Sequence, residues 1–593
     1  MQGSGLITKL LVWRIKHISD KSFVLILSGM TGTIAGIAAV ILSSVVHYIQ
    51  HFLITTFPHE EQFWAYLFLP LIGIFSAFIL TKYVFRDVFG HGVSKVLYFI
   101  SKGSSIMSKR SSFIKMVTSA LTVGFGASVG LEAPIVVTGS SIGSNIGRLA
   151  HLNYKKRTIL IGCGAAGAIA GIFNSPVAGL IFSAEVILAE VTVASFIPLL
   201  IASVCGSTIS LILLGDNTLF SVHLNDVFEA RSIPYYLALG VLCGLVATFF
   251  TRTNYAVERL IKKVKSEMLR ALIGGLMVGA IVLFFLPLFG EGYDAVKALI
   301  ADDGFRLLDD TAWIPTTERL PVLLLFVVAL ILFSTIGSAL TIGAGGSGGV
   351  FAPSLLIGAL SGFGFSKLIT MVGNEGTLSV TNFTLVGMCG VMSGVLHAPL
   401  TAIFLIAEIS GGYTLFIPLM LVSAIAYITI SAFEPHSLYT KRLIERGDLL
   451  NHDKDKQMLS LLDINKLVQK DCLCIHENAN LRDLTELVKK SHRNMFPVVD
   501  DGKKLKGVVL LDDIRQIMFD EEKLDKVYVQ TIMTSQKDVA CTNDTMETIM
   551  GKFERTGYYN IAVVDQEDKY VGFVSRGVLF NAYRHKVIRS GKE

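Results

Sequence analysis

Charge is what this 593-residue chain has least of. Only 17% of its residues are Asp, Glu, Lys or Arg, against 52% apolar, where a soluble domain carries about 25% charged residues. The charge that exists gathers at one end: residues 441–593 are about one-third charged, as a water-facing domain is. Between Arg319 and Lys367, and again between Glu375 and Glu408, no charged residue occurs. Each run exceeds the roughly 20 residues that cross a bilayer once. These gaps exclude a wholly soluble protein. They predict a polytopic membrane region followed by a soluble C-terminal domain.

Cysteine is scarce too. The seven are Cys163, Cys205, Cys243, Cys389, Cys472, Cys474 and Cys541. They form no CxxC pair and avoid the predicted outside loops, so they read as reduced structural residues and not as a disulfide framework. There is no HExxH, no Walker A and no cluster of metal-ligand spacing, so no metal site is expected. The scarcity of clustered carboxylates in the membrane region argues against a transporter of hard cations, which need several such ligands. Two glycine motifs mislead. "GAGGSG" (343–348) fits GxGxxG, but no βαβ unit or ribose-binding acid surrounds it. "GGSGG" (345–349) fits GxSxG, but a nucleophile elbow needs a strand before it. That leaves an intramembrane serine hydrolase, with Ser347 as nucleophile and His397 as base, as the rival enzyme class; the expectation is no enzyme.

Orientation follows from Lys and Arg. The N-terminal arm carries Lys9, Arg14, Lys16 and Lys21, and two loops carry Arg86, Lys95, Lys102, Lys109, Arg110 and Lys115, then Arg148, Lys155, Lys156 and Arg157. "FPHEEQ" (57–62) and "EGYDAVKALIADDGFRLLDDTAW" (291–313) are acidic. Basic loops and both termini are therefore expected in the cytoplasm. The net charge of +5 follows from this bias and calls for no nucleic-acid partner. "LITKLLVWRIKHI" reads as a short basic amphipathic helix within residues 1–22, not a cleavable signal peptide.

The membrane part repeats itself. "GIFNSPVAGLIFSAEV" (171–186) matches "GVLHAPLTAIFLIAEI" (394–409) at an offset of 223, and "GLEAP" (130–134) resembles "GVFAP" (349–353) at an offset of 219. Two halves result, about 30–215 and 235–435, within a membrane domain of 23–439. Repeats of this kind mark transporter folds, with substrate held where the halves meet. "GFGASVGLEAP" and "GAGGSGGVFAP" cannot be plain spanning helices, and irregular backbone at membrane depth survives only where protein or a cavity surrounds it. Each break precedes an apolar helical run. That puts a helix N-terminus, with free N–H groups and the positive end of its dipole, inside the membrane, where it is suited to anions. Glu132 is the lone charge between Met116 and Gly147. As an ordinary cap it would be costly at that depth. As a side chain competing with an anion for the same N–H groups, and leaving when protonated, it would be a gate and a proton acceptor.

The C-terminal part repeats as well. "FPVVDDGKKLKGVVLLDDIRQIM" (496–518) aligns with "IAVVDQEDKYVGFVSRGVLFNAY" (561–583) at an offset of 65, each unit reading strand, turn, strand, helix. A linker of 440–457 joins this tandem α/β module to the membrane.

Taken together, the membrane motifs resemble the CLC family of chloride channels and chloride/proton antiporters. Gly130-Leu131-Glu132-Ala133-Pro134 matches its gating-glutamate motif, with Ala for the second Gly. Gly349-Val350-Phe351-Ala352-Pro353 matches its Gly-x-Phe-x-Pro motif in full. Gly90-His91-Gly92-Val93-Ser94 is an altered form of its first motif, and Tyr439 matches the tyrosine that closes the inner side of the pore. The resemblance covers about residues 20–445. It implies an all-α polytopic fold of two inverted repeats with about 18 helices, several broken or re-entrant, and a homodimer. It implies anion binding at Gly90, His91, Gly92, Gly130, Val350, Phe351 and Tyr439. With His91 in place of the family's Ser, either the imidazole donates to an anion or only the backbone contributes. Antiporters of the family commonly carry an inner proton-transfer glutamate where this chain has Val186. Glu185 lies one residue away, about 100 degrees around a helix. Glu185 and Val186 are therefore the candidates for an inner proton path, although the symmetry of Glu185 with Glu408 favours a structural role. The expected function is chloride transport, as a chloride/proton antiporter or alternatively as a passive voltage- or pH-gated channel. The chain's compactness points to a bacterial plasma membrane. The tandem module (458–593, units 458–522 and 523–593) resembles a pair of CBS domains. Gly507 and Asp513 in one unit and Gly572 and Ser575 in the other are each half of an adenine-nucleotide site, because Leu510 and Val578 replace the missing halves. The module therefore reads first as structural or dimerising, with no cofactor required and a nucleotide as the alternative.

Overall fold

The computed structural model describes residues 17–56, 59–85, 92–101, 105–188, 192–215, 228–309, 320–373, 378–445, 462–491, 493–535 and 538–582. The chain divides into two units, residues 1–449 and 450–593.

The described residues of the first unit form helices joined by loops. Among the described residues it has eighteen α-helical segments, and nine helices are long and apolar enough to cross a membrane. Its two halves repeat the same contacts. The Glu132–Leu149 helix crosses the Tyr154–Phe173 helix at Gly139 and Gly164, where a Cβ on either would lie 2.1 or 1.9 Å from the other's carbonyl oxygen. The Phe351–Met371 helix crosses Val380–Leu396 in the same way at Gly358 and Gly387, with corresponding distances of 2.6 and 2.5 Å. Small residues let helix backbones meet where lipid supplies no hydrophobic drive. The positions in the two crossings are related by the same offsets, 219 and 223, that align the motifs.

The halves also end their helices alike. Tyr154–Phe173 stops at Asn174 (φ 52°) and Val380–Leu396 at His397 (φ 54°), both left-handed caps. A proline then opens each short helix, Pro176–Phe182 and Pro399–Ile409, at the first-turn position that tolerates it. The two short helices cap one another. Glu408 accepts from the N–H groups of Val177 and Ala178 at 2.9 and 2.8 Å. Glu185 accepts from the N–H groups of Leu400 and Thr401 at 3.2 and 2.8 Å, and from the Thr401 hydroxyl at 2.7 Å. Acceptor and donor positions are repeat equivalents in both directions. One asymmetry stands out: after Phe182 the first half widens into a π-helical turn, Ser183–Ile187, whereas Pro399–Ile409 is α-helical to its end.

The expected linker begins later than the sequence suggested. Leu438–Glu445 is a helix, so the first residues of 440–457 belong to the membrane unit. The reason is ion pairing: Lys441 Nζ lies 2.6 Å from Glu434 Oε2, and Arg442 Nη2 lies 2.7 Å from Glu258 Oε2. Charges that read as a solvated tether bind two acids of the membrane helices instead. Of the expected amphipathic segment 1–22, residues 1–16 lie outside the described residues, and the first described helix runs Asp20–Thr56.

The second unit contains two three-stranded sheets of identical order. Ile475–His476 pairs parallel with Met495–Val499, which pairs antiparallel with Leu505–Leu510; Ala540–Cys541, Asn560–Val564 and Tyr570–Ser575 do the same. Each hairpin turn is built on an aspartate. Asp500 Oδ1 accepts from the N–H groups of Gly502 and Lys504, and Asp565 Oδ1 from those of Glu567 and Lys569. The sheets join through Val508, Ala562 and Phe573. Lys552 Nζ lies 2.7 Å from Asp544 Oδ2. Partial burial pushes the Asp544 carboxyl up, but Lys552 and the Cys541 N–H outweigh it and hold it below the usual aspartate range.

Candidate functional site

The two broken segments are pinned to each other. Gly130 N–H donates to the Gly349 carbonyl at 2.9 Å, and Gly349 N–H returns the bond at 2.8 Å, a single antiparallel rung. Immediately after it, the Glu132–Leu149 and Phe351–Met371 helices begin. A third helix, Gly92–Ser101, starts beside them. Gly92 takes φ +57°, and a Cβ there would lie 3.1 Å from Ala133 Cβ, while one on Gly349 would lie 2.7 Å from the same atom. Three helix N-termini thus meet around Ala133. Little room is left for side chains at this junction: a Cβ on Gly130 would fall 2.9 Å from Ala352 Cβ and 2.0 Å from Glu132 Oε2.

Glu132 is 1% exposed. Its Oε1 accepts from the Tyr293 hydroxyl at 2.7 Å. Its Oε2 is buried and accepts no hydrogen bond. Its own N–H and that of Ala352 also face the carboxylate. Among the described residues no cation pairs with it. A phenol hydroxyl and the starts of two helices face a negative charge here, the kinds of donor that would hold a small anion. Phe351 is the repeat equivalent of Glu132. It is buried and stacks on Phe173, ring centroids 5.3 Å apart. Tyr439 is buried, and its carbonyl accepts from the Ser94 hydroxyl at 2.8 Å. The structure therefore brings Gly92, Gly130, Glu132, Val350, Phe351 and Tyr439 to one place. Gly90 and His91 lie outside the described residues.

Glu185 is engaged elsewhere, as the cap of Pro399–Ile409, and Val186 is half-buried at the edge of the apolar core. Two residues of the site escaped the sequence reading. Tyr293 is bonded to Glu132, and Glu291 Oε1 accepts from the Leu131 N–H at 3.2 Å. Their signal was Gly290-Glu291-Gly292-Tyr293, an acid between glycines directly before a helix. Both glycines take positive φ, 69° and 75°.

The remaining sequence candidates have local duties. His397 Nε2 bonds to the Glu434 carbonyl at 3.0 Å, and no hydrogen bond joins it to Ser347. In the second unit, a Cβ on Gly507 would lie 2.9 Å from the Thr534 carbonyl oxygen, and one on Gly572 2.4 Å from that of Gln469. Asp513 Oδ2 accepts from the Leu510 N–H at 3.3 Å, and the Ser575 hydroxyl accepts from the Val578 N–H at 3.1 Å. These two glycines thus admit a neighbouring backbone, and these two side chains cap their own helices.

Helices that break at membrane depth and aim their N-termini at one buried carboxylate define a membrane protein built to pass anions. The chain belongs to the voltage-gated chloride channel family, whose model matches residues 72–431; models of the CBS domain match 463–520 and 529–585. It is 27% identical over 554 residues to the chloride channel protein CLC-f of Arabidopsis thaliana, covering 83% of this chain and 69% of that one. It is 26% identical over 435 residues to the H(+)/Cl(-) exchange transporter ClcA of Vibrio cholerae, covering 71% and 89%. A solved structure of a slow cyanobacterial Cl-/H+ antiporter shares the fold, with a TM-score of 0.61 at 22% identity, covering 72% of this chain and 98% of the other. The chain is thus a multi-pass membrane protein of anion transport with two CBS domains.

Proposed function

We propose that the protein exchanges chloride for protons, with Glu132 as both gate and proton acceptor. The observation that carries this reading is the Glu132 carboxylate, buried against helix-end N–H groups and the Tyr293 hydroxyl with no cation beside it. When ionised, Glu132 occupies donors that an anion would use. When protonated it has less claim on them and yields to the anion. Chloride is held in turn by the N–H groups near Val350 and Phe351 and by the first motif, where Gly90, His91 and Gly92 contribute. Tyr439 narrows the inner entrance. The relative ClcA bears an exchanger's name, in keeping with this reading.

A passive channel is the second reading. Val186 favours it, since an apolar side chain cannot relay a proton, and so does the engagement of Glu185 in a cap. Proteoliposomes with a chloride gradient and no proton gradient discriminate the two. Uphill proton movement in wild type, lost in Glu132→Gln, supports exchange. Chloride flux with no proton movement makes it a channel.

The remaining assignments complete the proposal. The protein works as a homodimer in a bacterial plasma membrane, with both termini cytoplasmic and the 291–313 stretch outside. The CBS pair serves a structural or dimerising role, because Gly507, Asp513, Gly572 and Ser575 are each accounted for by local packing and capping. Thermal stabilisation of the full chain by AMP or ATP would count against that.

A further inference from the structure

We propose that Glu291 is the outer proton donor to Glu132, with Tyr293 fixing the Glu132 carboxylate in place; this rests on the reading of Glu132 as a proton acceptor. Three observations converge. First, the two acids address the same helix start: Glu291 Oε1 takes the Leu131 N–H at 3.2 Å, one residue before Glu132. Second, Tyr293, two residues beyond Glu291, donates to Glu132 Oε1 at 2.7 Å, while Oε2 of Glu132 is buried and accepts nothing. A buried carboxylate oxygen without a donor is costly, and a proton removes the cost. Third, Glu132 is 1% exposed, whereas Glu291 keeps partial exposure. Glu291 is therefore the more accessible residue of the two.

The loop holds this arrangement by wedging. Gly290 N–H donates to the Gly126 carbonyl at 3.1 Å. A Cβ on Gly290 would meet Gln50 Nε2 at 2.5 Å, and one on Gly292 would meet Leu356 Cδ2 at 2.8 Å. The loop is closed in by the Asp20–Thr56 and Phe351–Met371 helices and by the segment before Glu132. Charged and titratable groups on these elements offer no counter-ion. Asp294 and Lys297 pair with each other at the surface, Lys367 pairs with Asp302, and His47 and His51 are exposed on the Asp20–Thr56 helix. Two carboxylates placed together without a cation share one proton more readily than they both ionise.

The step balances simply. The O–H bond of the Glu291 carboxyl breaks and an O–H bond forms on Glu132, so the negative charge moves from Glu132 to Glu291. The Leu131 N–H then holds the Glu291 carboxylate until a proton from the outer solution reloads it. Protonated Glu132 leaves its helix-end donors to the anion.

The test uses the full chain in proteoliposomes, with proton and chloride fluxes recorded against external pH for wild type, Glu291→Gln, Glu291→Asp and Tyr293→Phe. In Glu291→Gln, proton transport is expected to fall about tenfold or more while chloride flux falls much less, and external acid is expected to restore part of the loss. Glu291→Asp retains most of the transport, a rescue that a packing role would not need. Tyr293→Phe lowers proton transport by a smaller factor. Wild-type proton rates and an unmoved external-pH profile in Glu291→Gln would overturn the proposal. If Glu291→Gln does not purify as a folded protein, an unaltered profile in Tyr293→Phe overturns it equally. If wild type moves no protons, the exchanger reading fails by itself. Glu291 is then judged by the external-pH profile of chloride flux: a shifted profile in Glu291→Gln sustains it and an unmoved one ends it.

Discussion

The two halves of the membrane unit use one element twice and finish it differently. Gly130-Leu131-Glu132-Ala133-Pro134 and Gly349-Val350-Phe351-Ala352-Pro353 each leave a glycine rung and open a helix toward the same spot. At the equivalent position one half presents a carboxylate bonded to Tyr293, the other a phenyl ring stacked on Phe173. A carboxylate can gain a proton and let go of its donors; a packed ring cannot. The symmetric part brings two helix starts together, and the asymmetric residue places a titratable group in one half only. The same contrast recurs in the short helices, which are matched in their reciprocal glutamate caps and mismatched in the π turn at Ser183–Ile187.

The crossings should break alike. Gly139→Leu and Gly358→Leu each drive a side chain into a backbone carbonyl that cannot yield, so each is expected to cost about 3 kcal/mol or more. Thermal unfolding followed by size exclusion in detergent checks this. A large effect in one half alone would show that the halves do not share the packing.

The two helix starts should break differently. Glu132→Gln is expected to lower proton transport at least about a hundredfold and flatten the pH dependence of chloride flux, with little change in stability. Phe351→Ala should do the reverse, costing about 3 kcal/mol through the emptied ring site and leaving the pH dependence in place. Loss of pH dependence in Phe351→Ala would blur the division of labour.

The capping glutamates sharpen the comparison further. Glu185→Gln and Glu408→Gln each leave one helix-end N–H facing an amide NH2, at an expected cost of about 1–3 kcal/mol in either half and with proton coupling unchanged. If Glu185→Gln abolished coupling while Glu408→Gln did not, Glu185 would be returned to the proton path.

The smallest effect lies in the CBS unit. The Asp544 carboxyl is held below its usual value, so its contribution is complete above the unfolded value and is lost as pH falls through the lower folded one. Asp544→Asn is expected to speed hydrogen exchange across Met546–Thr556 at pH 7 by an amount worth about 1 kcal/mol or less. The difference should vanish in acid.

Much of this was legible in the chain. Charge-free runs announced the membrane, repeat offsets announced the two halves, and a single acid in "GASVGLEAPIVV" marked the carboxylate that the structure buries where the helix starts meet. Glu291 was legible only as one acid in an acidic stretch, because nothing local says that a loop 160 residues onward folds back to Leu131. The charges at Lys441 and Arg442 read as tether for the same reason, since their partners Glu434 and Glu258 had to be met in space. Likewise Gly507 and Gly572 matched a nucleotide pattern, although what they admit is the backbone at Thr534 and Gln469.

The amino-acid sequence by itself determined that this protein sits in a membrane, repeats itself twice over, and places free helix N-termini at membrane depth. These follow from hydropathy, glycine and proline, whose effects are local and periodic. Tertiary structure alone decided which donor meets Glu132, which acid reaches the start of its helix, and which glutamates cap the short helices. Those outcomes depend on distances between residues far apart in the chain, and a hydrogen bond acts only within about 3 Å.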